Sequence, residues 1–439
     1  MSKQTSQKSA FILLTILFFL WGFITVLVDS LIPRIRELFT LSYAQAILVQ
    51  FAFFGAYFIL SIPASSLISK LGYKKGVISG LVIMAIGCVL FYPAASFRAF
   101  SIFLLAYFIL AGGITILQVA ANPYISALGD ENKASSRLNL AQAFNALGTT
   151  IAPAIGALFL LSDSIKTETE IALLSPTAKE TYLLYEAEAV QLPFLGLAII
   201  ILFIAVVFLF TKLPQIITEE SSGTYAETLK NKNLILGVIG IFCYVGAEVS
   251  IGSFLVNYFQ SMDLAPLLKA NDIMMSIANT VAKLFNKSFH NSDDKALLGL
   301  FVSVYWFGAM VGRFIGAYLT RVFKPSKVLS LFSVSAILLL IISVNTNGLT
   351  AMWSILLVGL FNSIMFPTIF TLAINGSGKL KAKGSGLLCT AIVGGAIIPF
   401  IVGVLIDSSG FGLGFIFIIL CYAYILFYGI KNNSLSLQS

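Results

Sequence analysis

Apolar residues along this chain come in long unbroken blocks separated by polar connections, without the every-other-residue alternation of a half-buried strand. The blocks run at roughly 10–33, 44–70, 76–97, 100–128, 137–161, 190–212, 233–260, 296–321, 327–346, 349–375, 384–407 and 410–430. Crossing about 30 Å of hydrocarbon takes about 20 helical residues, and a helix also satisfies its own backbone polar groups where no water can. The pattern therefore predicts an all-α polytopic membrane protein with twelve transmembrane helices, numbered below as spans 1 to 12. Connections are short except for 162–189, 213–232 and 261–295. The first block follows a short basic head, is longer than a signal-peptide core and lacks a small-residue cleavage pattern, so it is expected to remain as span 1.

The blocks repeat. "ANPYI" at 121–125 in span 4 recurs as "MFPTI" at 365–369 in span 10, and "GTTIAP" at 148–153 in span 5 recurs as "GGAIIP" at 394–399 in span 11. The basic turn "ISKLGYKKG" after span 2 matches "LTRVFKPSK" after span 8. A nearly constant offset between separate motifs points to two six-helix bundles of parallel repeat, 1–212 and 233–439, joined by a linker at 213–232. Transporters built this way hold their substrate near the midplane, between the repeats.

Composition narrows the class further. Hydrophobic residues make up 58% of the chain and charged residues 10%, with a mean hydropathy of +0.96, which excludes an assembly of soluble domains. The net charge of +8 does not point to nucleic acid, because the cations are sorted by side of the membrane. Lys3 and Lys8, the turn with Lys70, Lys74 and Lys75, the linker, and the run Lys379, Lys381 and Lys383 all fall on one side, which the positive-inside rule makes cytoplasmic. Both termini are expected there. The four cysteines lie inside apolar blocks and read as small core residues, while the single histidine, His290, lies in a polar loop. No metal site, cofactor or membrane-embedded enzyme chemistry is expected, and the expected partners are the bilayer and a small solute bound by a monomer.

Away from the span ends, three ionisable residues remain well inside spans: Asp29 in span 1, Glu248 in span 7 and Arg313 in span 8. Each costs at least ~2.5–3.5 kcal/mol at a helix centre, which makes each a candidate functional residue. Spans 1 and 7 are equivalent in the repeat, so Asp29 and Glu248 are expected to face one cavity and share ion coupling. A carboxylate that meets water in one conformation and is desolvated in another binds a proton with alternating affinity. With freed backbone carbonyls it could instead hold Na⁺. Arg313 is expected to be a gate or structural charge.

Buried amides supply the solute side. Gln118 and Asn122 are four residues apart on span 4, just before Pro123; Gln142 and Asn145 are three apart on span 5; Asn362 occupies the half-repeat position in span 10. Unsatisfied, such groups are costly in a membrane interior, and a ligand rich in hydroxyls would satisfy them. The competing reading is that they join helices to each other. A drug or metabolite antiporter would share the fold but calls for an acid among aromatics, and a channel calls for rings of charge.

"FFLWGFITVLVDSLIP", "AANPYISALG", "RLNLAQAFNALG", "CYVGAEVS" and "FPTIF" together resemble the fucose/glucose/galactose symporter family of the major facilitator superfamily, from about Phe18 to Tyr428. The Asp-Arg turn of the wider superfamily is replaced by "SKLGYKKG", as is typical of this branch. The resemblance implies the major facilitator fold and import of a hexose with H⁺ or Na⁺ across the cell inner membrane, with Asp29 central to coupling. Fucose-type members look to carry Glu at Gln118 and an amide at Glu248, so this chain is similar to the glucose/galactose branch; fucose and N-acetylglucosamine stay open as substrates.

Overall fold

The computed structural model describes residues 2–30, 43–160, 173–214, 223–284 and 294–435. The first part of the chain forms α1 (Ser2–Ser30), α2 (Tyr43–Leu71), α3 (Tyr73–Ser96), α4 (Phe100–Ser126), α5 (Ala134–Leu160) and α6 (Pro176–Phe210). A linker helix α7 (Tyr225–Lys230) follows. The second part forms α8 (Lys232–Ser261), α9 (Leu264–Lys269), α10 (Asp272–Leu284), α11 (Asp294–Val322), α12 (Pro325–Asn345), α13 (Gly348–Asn362), α14 (Met365–Ile374), α15 (Lys381–Thr390), α16 (Gly394–Ser409) and α17 (Phe411–Leu435). Among the described residues, 11 stretches are long and apolar enough to cross a membrane, and α5 stands in the place of span 5. The all-α polytopic architecture follows from the apolar blocks as expected. His290 lies outside the described residues.

The departures are local. Span 10 is not one helix but α13 and α14, broken at residues 363–364, and span 11 is α15 and α16 joined by a tight turn at Ala391–Val393. Span 6 starts well before its apolar block, because Ser175 caps the helix through its hydroxyl on the Ala178 amide and Pro176 sits in its first turn. The connection 261–295 is partly helical: Met274, Ala278 and Ala282 recur at i, i+4 and i+8 and bury one face of α10.

Packing within the membrane rests on small residues. α1 lies along α5 because Gly22 and Gly148 present no side chain; a Cβ on Gly148 would fall on the Phe19 carbonyl and the Phe23 amide. Gly80 and Gly113 do the same between α3 and α4. In the second set Gly312 and Gly359 bring α11 against α13. Gly72, with φ +82, makes the sharp turn from α2 into α3 that a side chain would strain. The outer stripe of α6, with Ile199 69% and Phe203 67% exposed, is an apolar face suited to lipid and not to water.

Candidate functional site

The two helix sets, α1–α6 and α8–α17, meet along α5 with α11 and α14, and along α2 and α4 with α15. Hydrogen bonds cross this seam toward the end that carries the linker. Ser135 pairs with Thr371 at 2.5 Å, Ser136 donates to the Ala317 carbonyl at 2.6 Å, and the Asn139 amide donates to Thr368 at 3.3 Å. Ser385 on α15 donates to the Val119 carbonyl at 2.9 Å. Lys381 faces Glu131 at 3.9 Å, and the Tyr225 hydroxyl of α7 donates to the Ile62 carbonyl at 2.9 Å. A recess of about 730 Å³ opens beside these contacts, lined by both sets, including Ser126, Glu131, Asn233, Thr371 and Lys381.

Near mid-span the seam holds an ion pair. Arg313 Nη2 lies 3.8 Å from Glu248 Oε1, with side chains 15% and 13% exposed. Arg313 also donates from Nε to the Ser363 carbonyl at 3.2 Å and from Nη1 to the Gln142 carbonyl at 3.4 Å. One guanidinium therefore links the acid of α8, the break between α13 and α14, and α5 of the opposite set. Tyr244, one turn before Glu248 and fully buried, faces the same pair.

The predicted amides separate into two kinds. From Leu110 to Ser126 every residue of α4 is buried except Gln118, which is half-buried; its Nε2 donates to the Tyr57 hydroxyl at 2.6 Å. Gln142 is 7% exposed and shares its backbone with Arg313. Asn145 is part-buried but donates to the Phe18 carbonyl at 2.9 Å, tying α5 to α1. Asn362, expected at the cavity wall, is instead fully buried, with Nδ2 donating to Tyr305 at 2.5 Å and Oδ1 accepting from Tyr422. Asn122 is also fully buried, and neither of its amide atoms has a hydrogen-bond partner. Asp29 sits in the last turn of α1, and its side chain lies outside the described residues.

The repeated prolines explain part of this chemistry. Proline has no N–H to give the carbonyl four residues before it, so Pro123 frees Val119 and Pro367 frees Ser363. Both carbonyls are taken up from elsewhere: Val119 by Ser385, and Ser363 by Arg313. Sequence reasoning missed Tyr57, Tyr305, Tyr422, Asn139 and Ser385 as partners. Asn139 had a signal, lying one turn before Gln142 on the same face; the tyrosines had none among 16.

Two helix sets in a membrane, with amides and one acid–guanidinium pair at their seam, form the architecture of a secondary transporter. The sequence profile of the Major Facilitator Superfamily matches residues 10–388, and the chain belongs to that family. It is 46% identical over 435 residues to a glucose/galactose transporter of Brucella abortus, covering 98% of this chain and 96% of that one. It is 33% identical to the L-fucose-proton symporter of Escherichia coli, covering 93% and 90%. Its structure superposes on a crystal structure of the superfamily transporter FucP in the outward conformation with a TM-score of 0.85, at 31% identity, covering 97% of this chain and 99% of that one.

Proposed function

We propose that this protein imports a hexose of the glucose/galactose kind together with H⁺, by alternating access between two bundles, 1–212 and 233–439, hinged through the linker 213–232. The observation that carries the proposal is Arg313, which touches both Glu248 and the backbone of Gln142 across the seam. Protonation of Glu248 would loosen the guanidinium, and the guanidinium holds the helix that presents a sugar-binding amide. Gln118 and Gln142 are the amides proposed to meet sugar hydroxyls; Asn122, Asn145 and Asn362 frame them. Asp29 is proposed to share the coupling proton with Glu248. The relatives' names support hexose over other solutes, and a relative named as a proton symporter supports H⁺ over Na⁺. A carboxylate already facing a guanidinium is also a poor member of a Na⁺ cage, which needs several free oxygens.

Seam contacts gathered at the linker end support an outward-open form. The distribution of lysine and arginine supports cytoplasmic termini in an inner-membrane protein. The test is uptake into proteoliposomes under a proton gradient and, separately, a sodium gradient, competed with glucose, galactose, fucose and N-acetylglucosamine. Glucose or galactose should compete best, and the proton gradient alone should drive accumulation. Asp29→Asn should abolish accumulation while leaving counterflow exchange. Wild-type accumulation by that variant would sink the coupling assignment.

A further inference from the structure

Pro123 leaves the Val119 carbonyl of α4 without its helical donor, in a segment where every backbone polar group needs a partner. The partner comes from the other helix set: Ser385, fully buried on α15, donates to it at 2.9 Å. α15 reaches that carbonyl because Gly386, the next residue, lies against Ser61 and Ser65 of α2, where a Cβ would come within 2.6 Å of the Ser65 Cβ. The equivalent carbonyl freed by Pro367 is met by Arg313 of its own set, so only the Pro123 side makes the bond between bundles. Beside it, Asn122 is sealed at zero exposure with neither amide atom partnered. Closing this end therefore makes one hydrogen bond that the proline requires, while one turn further along the same helix an amide stays buried without any.

We infer that Ser385 is a positioning residue of the transport cycle: acting through the Val119 carbonyl, it sets how long the linker end stays shut. Asn122 opposes it. When the end opens, the carbonyl and the amide both reach water, so the loss of the serine bond disfavours opening and the release of the buried amide favours it. The inference rests on the alternating exposure proposed above and not on the identity of the sugar.

The test is the distance between spin labels at Lys70→Cys on α2 and Arg321→Cys on α11, both exposed at the linker end, in full-length protein whose four native cysteines are replaced by alanine. Without sugar, Ser385→Ala should raise the separated population about two- to tenfold, the net worth of one buried hydrogen bond. Ser385→Thr, which keeps the hydroxyl, should restore the wild-type distribution. Asn122→Leu should lower the separated population. In a Pro123→Ala background residue 123 regains an N–H for Val119, so Ser385→Ala should then shift the distribution less. In transport, Ser385→Ala should change Vmax per molecule of folded transporter while the KM for glucose from outside stays within about twofold; a merely destabilised protein would lose folded molecules and keep the per-molecule rate.

An equal effect of Ser385→Ala with and without Pro123 would show that the carbonyl is not the route. A wild-type pair that separates with glucose while Ser385→Ala matches wild type overturns the inference alone. A wild-type pair that never separates overturns the alternating-exposure reading and this inference with it. Should Pro123→Ala fail to fold, the opposite signs of Ser385→Ala and Asn122→Leu, with rescue by threonine, decide the matter: same-sign shifts refute it.

Discussion

Removing both members of the Glu248–Arg313 pair should cost clearly less than the two single removals added together. At 3.8 Å and an effective dielectric of about 20, the Coulomb attraction is about 4 kcal/mol. The separation is longer than a charged hydrogen bond and Glu248 Oε1 accepts none, while both side chains keep some exposure; the coupling is accordingly expected at about 2–4 kcal/mol. Glu248→Gln leaves a guanidinium with two carbonyls and no counter-charge. Arg313→Gln leaves a carboxylate with neither, and also orphans the Ser363 carbonyl that Pro367 cannot serve, so it should be the more damaging single change, about 3–5 kcal/mol. The double variant should regain about 2–4 kcal/mol relative to the sum of the singles. Equilibrium unfolding in mixed SDS micelles measures the cycle. Additive losses, with coupling under about 1 kcal/mol, would refute the claim that the two groups compensate each other and with it the idea that protonating one loosens the other.

Asn362→Leu removes the shared partner of two buried tyrosines, at about 1–3 kcal/mol for each stranded hydroxyl, and adding Tyr305→Phe and Tyr422→Phe should recover part of the loss in the same unfolding assay. Gln118→Ala and Gln142→Ala should each weaken glucose binding, read by tryptophan fluorescence titration, by the ~1–3 kcal/mol of an unpaired polar group, without changing the melting temperature much; unchanged affinity in both would return them to the framework. Gly148→Leu should abolish folded protein in size-exclusion profiles, because its side chain meets the α1 backbone at Phe19 and Phe23; a monodisperse variant would mean that the two helices can part.

The spans were legible because the bilayer demands long apolar runs, and a length requirement survives in a single sequence. The roles of the amides were legible only as a class. α4 is apolar on every side, so no amphipathic stripe marks which face looks inward, and nothing in the spacing of Gln118 and Asn122 separates the half-buried residue from the fully buried one. Asn362 looked equivalent to them, yet its partners lie 57 and 60 residues away, on helices whose rotation is set by packing. Of the charges, Asp29 and Glu248 were expected to face one cavity; the Asp29 side chain lies outside the described residues, and Glu248 faces Arg313.

The motif expected to repeat does different work at its two positions. Each proline frees one carbonyl at the same register, and in a perfectly symmetric pair of bundles both carbonyls would be served across the seam. Here one is served by a neutral hydroxyl from the opposite set and the other by a guanidinium from its own, which in turn pairs with Glu248. The consequence is a division of labour. The Pro123 side answers to whether the bundles touch, because its donor leaves when they part; the Pro367 side answers to the charge of Glu248, because its donor is shared with that carboxylate. The coupling proposed above requires that these two conditions be linked, and in that proposal the Arg313 bond to the Gln142 carbonyl is the contact that carries a change of charge on α8 to the opposite bundle.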